Sequence, residues 1–189
     1  MVMKGNNSQN LDRDAWLSEA LEVLRESGVG HIKVEPLAKR LGVTKGSFYW
    51  HFKDRADLLL ALPGHWAKAQ TEPVIAHGQS ADGGPVDRMR AVLEFLARED
   101  PDRYDNAMRA WAQFDTDVAD AVAAIDKHRM AYAAELFEQA GLPESEAAFR
   151  ARVWYFYDVG EHITRDTPTD TAERLHRAEQ RLALLTADL

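Results

Sequence analysis

The sequence predicts an all-α fold of about nine helices. Apolar residues recur at the three- and four-residue spacing of a helix face, as at Leu17, Leu21 and Leu24. From Pro85 onward no segment alternates apolar and polar residues as a strand would. The chain has no cysteine, which excludes disulfides and thiolate metal sites. Its 189 residues are enough to bury the core of one large domain or of two small ones.

Two helices are predicted near the N-terminus, each with a recognisable start. The first follows Asp12, a favourable N-cap residue, and ends at Gly28, which suits the left-handed conformation beyond a helix. The second covers residues 34–41 and carries Pro36 in its first turn, where the N–H that proline lacks would have no helical partner. Residues 1–10 are polar and are expected to form a flexible tail before the first helix.

A third helix is predicted after a tight turn. Gly42 is the turn residue, and Thr44 is the expected N-cap of a helix over residues 45–51. Two helices joined by a short glycine-containing turn are typical of a helix-turn-helix, whose second helix enters a DNA major groove. Phe48 and Phe52 have the spacing of an inward-facing pair, so we expect them to fix this helix to its neighbours.

The other side chains of the third helix are chemically suited to DNA. A hydroxyl and free N–H groups at its start can bind a phosphate, and a glycine there lets the backbone approach closely. Basic, hydroxyl and aromatic groups can then reach phosphates, base edges or a thymine methyl. The candidate DNA-binding residues are Lys33, Thr44, Lys45, Gly46, Ser47, Tyr49, Trp50, His51 and Lys53.

The distribution of charge separates this region from the rest of the chain. The whole chain has a formal net charge of −8, yet residues 31–55 carry six Lys and Arg against two acidic residues, a local net charge of +4. The remainder therefore sums to −12. A basic patch on an acidic protein indicates either one surface that meets a polyanion or a solvated patch without a partner.

The segment VEPLAKRLGVTKGSFYWHFKDRADLL resembles the DNA-binding module of TetR-type (TetR/AcrR) transcriptional regulators. The resemblance extends over roughly residues 11–62. One position departs from the pattern, because Lys33 stands where the family often has Ser or Thr capping the second helix. The motif positions are Leu37-Ala38, Gly42-Val43-Thr44, Phe48-Tyr49-Trp50-His51-Phe52 and Asp54.

This resemblance implies a domain organisation and a function. Residues 11–55 would form the helix-turn-helix DNA-binding domain, and residues 56–189 a helical effector-binding and dimerisation domain. Regulators of this type bind a pseudo-palindromic operator as homodimers and, as repressors, leave it when a small-molecule effector binds. The expected partners are therefore operator DNA, a small-molecule effector and a second copy of the chain.

Helices are also predicted over most of the second domain. A fourth helix follows Asp54, and Pro63-Gly64 and Pro73 are expected to interrupt or kink it. The kink at Pro63-Gly64 is either a hinge between the domains or a static bend. Turn-forming residues separate the further helices, which are predicted near residues 85–99, 101–114, 116–140, 143–165 and 169–187.

Two sets of residues in the second domain are candidates for binding. Aromatic residues with a few polar groups could line an apolar cavity of the kind that the family resemblance implies. The candidate effector-binding residues are Trp66, Phe95, Trp111, Phe114, Trp154, Tyr157, Asp158 and His162. The last helix has a narrow apolar seam suited to a partner helix, which makes Leu175, Ala178, Leu182 and Leu185 the candidate dimer interface.

Two alternative functions remain, a ligand-independent activator or architectural DNA-binding protein, and a helical enzyme that carries the motif. Glu173 and His176 form one E-x-x-H, whereas di-iron bundles use two copies. No glycine-rich phosphate loop or nucleophile elbow occurs. We therefore expect no catalytic residue, no cofactor and no metal.

The sequence gives no indication of a membrane partner. Its first ten residues are polar and unlike a signal peptide, and no apolar run has the length of a membrane span. We therefore expect a soluble, cytoplasmic protein.

Overall fold

The computed structural model describes residues 11–164 and 166–189, without the side chains of residues 101 and 102. It confirms the predicted all-α fold, since the described residues form nine α-helices and no strand. The predicted tail over residues 1–10 lies outside the described part. The helices are α1 Arg13–Ser27, α2 Val34–Arg40, α3 Lys45–Phe48, α4 Arg55–Ser80, α5 Pro85–Glu99, α6 Asp105–Ala112, α7 Thr116–Gln139, α8 Glu144–Thr164 and α9 Thr171–Leu185, with 3-10 turns at Val29–His31 and Pro101–Tyr104.

The chain divides into two compact units, Met1–Trp66 and Ala67–Leu189. The domain boundary predicted at residue 55 coincides with the start of α4, whose first turns belong to the first unit. None of the described helices is both long enough and apolar enough to cross a membrane.

Aromatic packing holds the first unit together. The Trp16 ring meets Phe48 edge-on at 5.3 Å between centroids, and Phe48 stacks on Phe52 at 5.2 Å. All three side chains are fully or almost fully buried. The predicted ends of α1 are also present: the Ala15 N–H donates to the Asp12 carboxylate at 2.8 Å, and Gly28 has a φ of 83°. The inward orientation predicted for Phe48 and Phe52 is therefore correct.

The third helix is shorter than predicted. It spans Lys45–Phe48 instead of residues 45–51, and the chain then continues in tight turns with i to i+3 bonds, such as His51 N–H to Phe48 O at 3.0 Å. Thr44 holds the extended N-cap backbone, but its hydroxyl makes no capping bond to any described group. Glycine and aromatic residues are poor helix formers, so the helix tightens after one turn.

Helix α4 is unbroken, contrary to the interruptions predicted at Pro63-Gly64 and Pro73. Leu58, Leu62 and Trp66 lie on one face of its first half and are fully buried. Burial of this face stabilises the helix and outweighs the unfavourable local propensities of proline and glycine. Whether Pro63-Gly64 acts as a hinge stays a prediction.

Gly78, near the end of α4, permits close contact with α5 and α7. A Cβ atom at this position would lie 2.5 Å from the Tyr132 hydroxyl and 2.5 Å from a Val92 methyl group. No side chain larger than hydrogen fits there without displacing a neighbour. The residue therefore sets the distance between α4 and the rest of the second unit.

The core of the second unit is formed by α5, α7, α8 and α9. It includes most of the apolar seam that the sequence marks on α9, because Ala178, Leu182 and Leu185 are buried inside the monomer and Leu175 is half-buried. The helix that covers this seam is mainly α5 of the same chain. Three of the four residues of the predicted dimer interface are thus covered inside the monomer, which leaves little of the seam for a second copy; the interface itself stays a prediction.

Candidate functional site

The α2–α3 region presents its predicted DNA-binding residues on the surface. Tyr49 is 54% exposed and Trp50 is 88% exposed, which is unusual for large aromatic side chains. Ser47 and His51 are half-buried. The other members of the set, Lys33, Thr44, Lys45, Gly46 and Lys53, are exposed. Because Phe48 and Phe52 are buried on one side of this segment, the remaining side chains face outward.

Lys45, at the start of α3, is engaged by a carboxylate. Its Nζ donates to Glu35 Oε1 at 2.8 Å, and both side chains are largely exposed. This hydrogen bond and the charge of the partner raise the pKa of Lys45 and lower the pKa of Glu35. A phosphate that approaches the ammonium group of Lys45 must therefore displace Glu35.

Two other cations of the basic region have structural roles. Arg40 is paired with Glu19 and donates to Glu26 at 2.6 Å, which ties α2 to α1. Arg55 donates to the carbonyl oxygens of Ile32 at 2.5 Å and Val29 at 2.8 Å, so these two backbone acceptors at the 3-10 turn have a hydrogen-bond partner. These guanidinium groups hold the module together, so fewer charges are available to a polyanion than the sequence count implies.

The second unit contains a cavity of about 60 Å³, which we call the apolar cavity. Polar groups gather at part of its wall, chiefly on α6, α7 and α8. Its apolar lining consists of Val74, Ile75, Val92, Leu96, Tyr132, Ala133, Leu136, Trp154, Tyr155 and Val159, and its polar lining of Gln70, Thr71, Asp105, Asn106, Arg109, Arg129, Asp158 and His162. A mostly apolar cavity with a few polar groups is the usual form of a small-molecule site.

A closed polar network borders the apolar cavity. Arg109 forms a two-pronged pair with Asp126, at 2.8 Å for each bond, and also donates to the Tyr155 hydroxyl at 2.9 Å. The Tyr155 hydroxyl donates to Asp126 at 2.6 Å. Burial alone would raise the pKa of Asp126, but the bonds from Arg109 and Tyr155 outweigh it and lower that pKa. Burial and the Asp126 carboxylate raise the pKa of Tyr155.

A second ion pair lies deeper in the same wall. Arg129 donates to Asp105 at 2.5 Å and to the Thr71 hydroxyl at 3.1 Å, and both of these acceptor residues are buried. A guanidinium and a carboxylate buried together require each other, because either one alone would be an uncompensated charge. The two arginine–aspartate pairs leave this wall close to electrically neutral.

The structure brings only part of the predicted effector set to a cavity. Trp154, Asp158 and His162 line the apolar cavity, and Tyr157 lines a smaller neighbour. The other four predicted residues do not line either of these two cavities, and their role stays a prediction. Trp66 is buried in the first unit, Phe95 packs against His77 at 5.0 Å, Trp111 is buried outside the cavity lining, and Phe114 is 92% exposed.

Sequence reasoning missed the charged residues of the cavity. Asp105, Arg109 and Arg129 stand in amphipathic helices, where a charged residue is by default assigned to solvent. Their helical spacing gives no sign that they face a partner inside the fold. Tyr155 was missed for a similar reason, because it lies in a run of aromatic residues that occupies several faces of α8.

A helix-turn-helix with exposed aromatic and basic side chains, in an all-helical chain, defines a class of DNA-binding regulator. Residues 17–62 match the family described as bacterial regulatory proteins, tetR family. The HTH-type transcriptional regulator AcrR of Shigella flexneri is 29% identical over 96 residues, covering 49% of this chain and 43% of AcrR. The class C tetracycline repressor protein of Escherichia coli is 44% identical over 52 residues, 28% of this chain and 24% of the repressor. The N-terminal module of this chain, residues 17–62, therefore matches the DNA-binding module of the TetR family.

The solved structures that resemble this chain extend the match in fold beyond the N-terminal module. A transcriptional regulator of the TetR/AcrR type from Aquifex aeolicus has a TM-score of 0.68 and 17% identity, over 92% of this chain and 98% of its own. The regulatory protein TetR from Rhodobacter sphaeroides has a TM-score of 0.64 and 19% identity, over 90% and 96%. By sequence, the chain spans less than half the length of the two curated relatives named above.

Proposed function

We propose that this protein is a ligand-responsive transcriptional repressor that binds a pseudo-palindromic operator as a homodimer. The observation that carries the proposal is the outward-facing Tyr49 and Trp50 at the end of α3, held by buried aromatic anchors. Large exposed rings beside basic groups are costly to keep on a free surface and are suited to a nucleic acid. The repressor role is supported by the tetracycline repressor proteins, which match this module.

DNA would be bound through the start of α3 and the turn that follows it. Thr44 and the free N–H groups of the first helical turn face the position of a phosphate, and Lys45 exchanges its bond to Glu35 for the DNA. Tyr49 and Trp50 then contact sugar, base edges or a thymine methyl. Lys33 and Lys53 supply charge at the sides, since neither has an ion pair within the described residues.

A second copy of the chain would bind along α8. Phe149, Val153, Phe156 and Ile163 recur at helical spacing and are each at least 40% exposed. These residues, which we call the α8 stripe, extend over about 21 Å of helix. An apolar stripe of this length is characteristic of a surface that pairs with another helix. A two-fold dimer would set two α3 helices about one or more DNA turns apart, each about 34 Å.

The effector would bind in the apolar cavity of the second unit. Binding there can change the DNA affinity only if the effector prefers a conformation in which the two α3 helices no longer match the operator spacing. The cytoplasmic location expected from the sequence belongs to the same proposal, because the operator is on bacterial DNA.

The experiment that tests this function is selection of duplexes from a random DNA pool by the purified protein. We expect enrichment of a pseudo-palindromic sequence. Tyr49→Ala should reduce the affinity for that sequence at least about fivefold, because a base or sugar contact is lost. Lys53→Ala should weaken all duplexes alike and lower the slope of log affinity against log salt by about one. Phe114→Ala, a change at an exposed ring of the second unit, is the control.

The alternative functions predict different results. An architectural protein would enrich no defined sequence, and an activator without a ligand would bind its operator equally in the presence of every tested compound. An enzyme would consume a compound that binds the cavity. Equal binding by the parent and Tyr49→Ala would contradict the assignment of α3 as the recognition helix.

A further inference from the structure

A second cavity lies beside the apolar cavity in the second unit. It has a volume of about 40 Å³ and is lined by residues of α5, α8, α9 and the segment that precedes α9. Leu96, Asp158 and His162 line both cavities, so the two spaces adjoin each other at these side chains. We call the smaller space the polar cavity, because Arg174, Arg181 and Thr167 are part of its lining.

Three hydrogen-bond donors of the polar cavity are buried without an acceptor. They are the Nε of Arg174, the Nε of Arg181 and the hydroxyl of Thr167, none of which has a partner in the described part of the chain. The Arg181 side chain is only 8% exposed. Buried donors normally find acceptors, and three in one cavity therefore indicate a place for an acceptor that the described residues do not supply.

Three carboxylates and two arginines line the polar cavity, and most of these groups already have a partner. Asp158 is paired with Arg181, and Glu161 is paired with Arg177 at 3.1 Å. Asp100 Oδ1 lies 3.2 Å from His162 Nε2.

Arg174 differs from these paired groups, because its Nη2 donates only to the neutral Thr171 hydroxyl at 3.1 Å. No described carboxylate is paired with it. Within the described residues Arg174 is thus an arginine of this lining without a carboxylate partner, and a negatively charged ligand group can pair with it.

We propose that the polar cavity binds the carboxylate group of the effector, while the apolar body of the same molecule occupies the apolar cavity. The effector is then a small carboxylic acid with an aliphatic or aromatic body. This inference rests on the proposed function, because it names the chemistry of the ligand to which the repressor responds.

A carboxylate matches the cavity better than other polar groups do. Its two oxygens can accept from both arginine Nε–H groups and from the threonine hydroxyl, and charge-assisted bonds of this kind are strong. A phosphate would bring a larger charge next to Asp100, Asp158 and Glu161, which also line the cavity. An ammonium group has no acceptor atom and would leave the three buried donors without a partner.

Binding of matched ligands to the purified full-length protein tests the proposal. The probes are hexanoate, octanoate and decanoate, with octanol and octylamine as head-group controls, and calorimetric titration gives the affinities. We expect saturable binding of at least one acid. Its affinity should exceed that of octanol by about tenfold or more, since a charged hydrogen bond is made only by the carboxylate.

Variants then locate the head group. Arg174→Met should lower the affinity for the acid by about tenfold, and Thr167→Val, which keeps the side-chain volume, should lower it several-fold, about three times or more. Octanol binding should be unchanged in both. Arg98→Met is the matched control, because Arg98 is exposed on α5 and makes no hydrogen bond or ion pair within the described residues. It should bind the acid as the parent does.

Thermal unfolding without ligand separates a binding role from a structural one. If Arg174 serves a ligand, Arg174→Met should unfold at the parent's temperature or above it, because the methionine removes an uncompensated buried donor. A large loss of stability would assign Arg174 to the fold and overturn the proposal. Thr167→Val then provides an independent measurement of acid affinity in a folded protein.

The remaining outcomes are also decisive. Equal affinity of acid and alcohol, or equal effects of Arg174→Met and Arg98→Met, would overturn the carboxylate site. If none of the three acids binds saturably, the polar cavity holds water only and the proposal is wrong. A parent protein that selects an operator and is released by an uncharged compound would keep the proposed function while refuting this inference.

Discussion

Lys45 shows, at the scale of a single residue, how an ion pair within the chain can compete with a proposed contact to DNA. In the free protein it bonds to Glu35 at 2.8 Å. Since both side chains are largely exposed, this ion pair contributes little to folding, but it competes directly with a phosphate. We therefore expect Glu35 to lower non-specific attraction to DNA with little effect on the stability of the fold.

Replacement of Glu35 should therefore strengthen DNA binding. Glu35→Gln frees Lys45 and removes one negative charge, and we expect the affinity for any duplex to rise about two- to fivefold at low salt. Fluorescence anisotropy with labelled duplexes is the measurement. In a Lys45→Ala background the same change should have a smaller effect, because the competition is gone. An equal gain in both backgrounds would mean that the pair does not compete with DNA.

Asp126 stabilises the wall of the apolar cavity through Arg109 and Tyr155. Asp126→Asn should lower the free energy of unfolding by about 1–3 kcal/mol at pH 7, since charged hydrogen bonds to a partly buried arginine are lost. Asp120→Asn, at an exposed position on the same helix, should have almost no effect. Denaturant titration of parent and variants gives these values.

The contribution of Asp126 should also depend on pH in a defined direction. The pKa of its carboxyl group is lower in the folded protein than its ordinary value of 3.8. The stabilisation is therefore fully present above pH 3.8 and is lost as the pH falls through the lowered folded pKa. The difference in unfolding free energy between parent and Asp126→Asn should shrink in acid. A difference that grew there would contradict the assignment.

At the scale of the element, α4 shows that a helix can contain residues of low helix propensity when its apolar face is buried. The helix continues through Pro63, Gly64 and Pro73, and the apolar face of its first half, with Leu58, Leu62 and Trp66, is buried. Its two glycines have opposite surroundings. A Cβ at Gly64 would meet no described atom within 4 Å, whereas a Cβ at Gly78 would overlap Tyr132 and Val92.

Alanine at these two positions should change stability in opposite directions. Gly64→Ala should raise the free energy of unfolding by about 0.5–1 kcal/mol, because alanine is the better helix former. Gly78→Ala should lower it by about 1–3 kcal/mol, because Tyr132 and Val92 must move. Both displaced residues line the apolar cavity, so Gly78→Ala should also weaken effector binding. Equal shifts in the melting temperatures of the two variants would show that the close contact at Gly78 does not determine how the protein responds to alanine there.

On the scale of the whole molecule, the exposed apolar face lies on α8 and not on α9, where the sequence predicts the interface. The regular seam of α9 is covered within the monomer, while α8 carries the α8 stripe on its outer side. A helix of α8's composition has apolar residues on more than one face, so one face can serve the core and another a partner.

The oligomeric state should change when a residue of the α8 stripe is replaced, and not when an exposed apolar residue elsewhere is replaced. Val153→Glu should convert a dimer to a folded monomer, because a carboxylate in an apolar interface must be desolvated without a partner. Phe114→Glu places the same charge at a ring that is 92% exposed outside the stripe, and it should sediment as the parent does. Sedimentation velocity with circular dichroism is the measurement.

A change in the α9 seam should have a different consequence. Leu182 is 2% exposed and belongs to the monomer core, so Leu182→Glu should unfold the second unit instead of only separating two copies. A folded monomeric Leu182→Glu protein would return the interface to α9.

The sequence by itself determined the features that depend on local chemistry. The caps at Asp12 and Gly28, the burial of Phe48 and Phe52 and most helix boundaries follow from short-range rules, because each depends on residues within a turn or two of chain. The tertiary structure decided the features that depend on which helix face packs against which other part of the chain. It placed the α9 seam in the core, kept α4 intact through its prolines, and turned Asp105, Arg109 and Arg129 inward. Helical spacing states that a face is apolar or charged, whereas only the packed chain determines what that face meets.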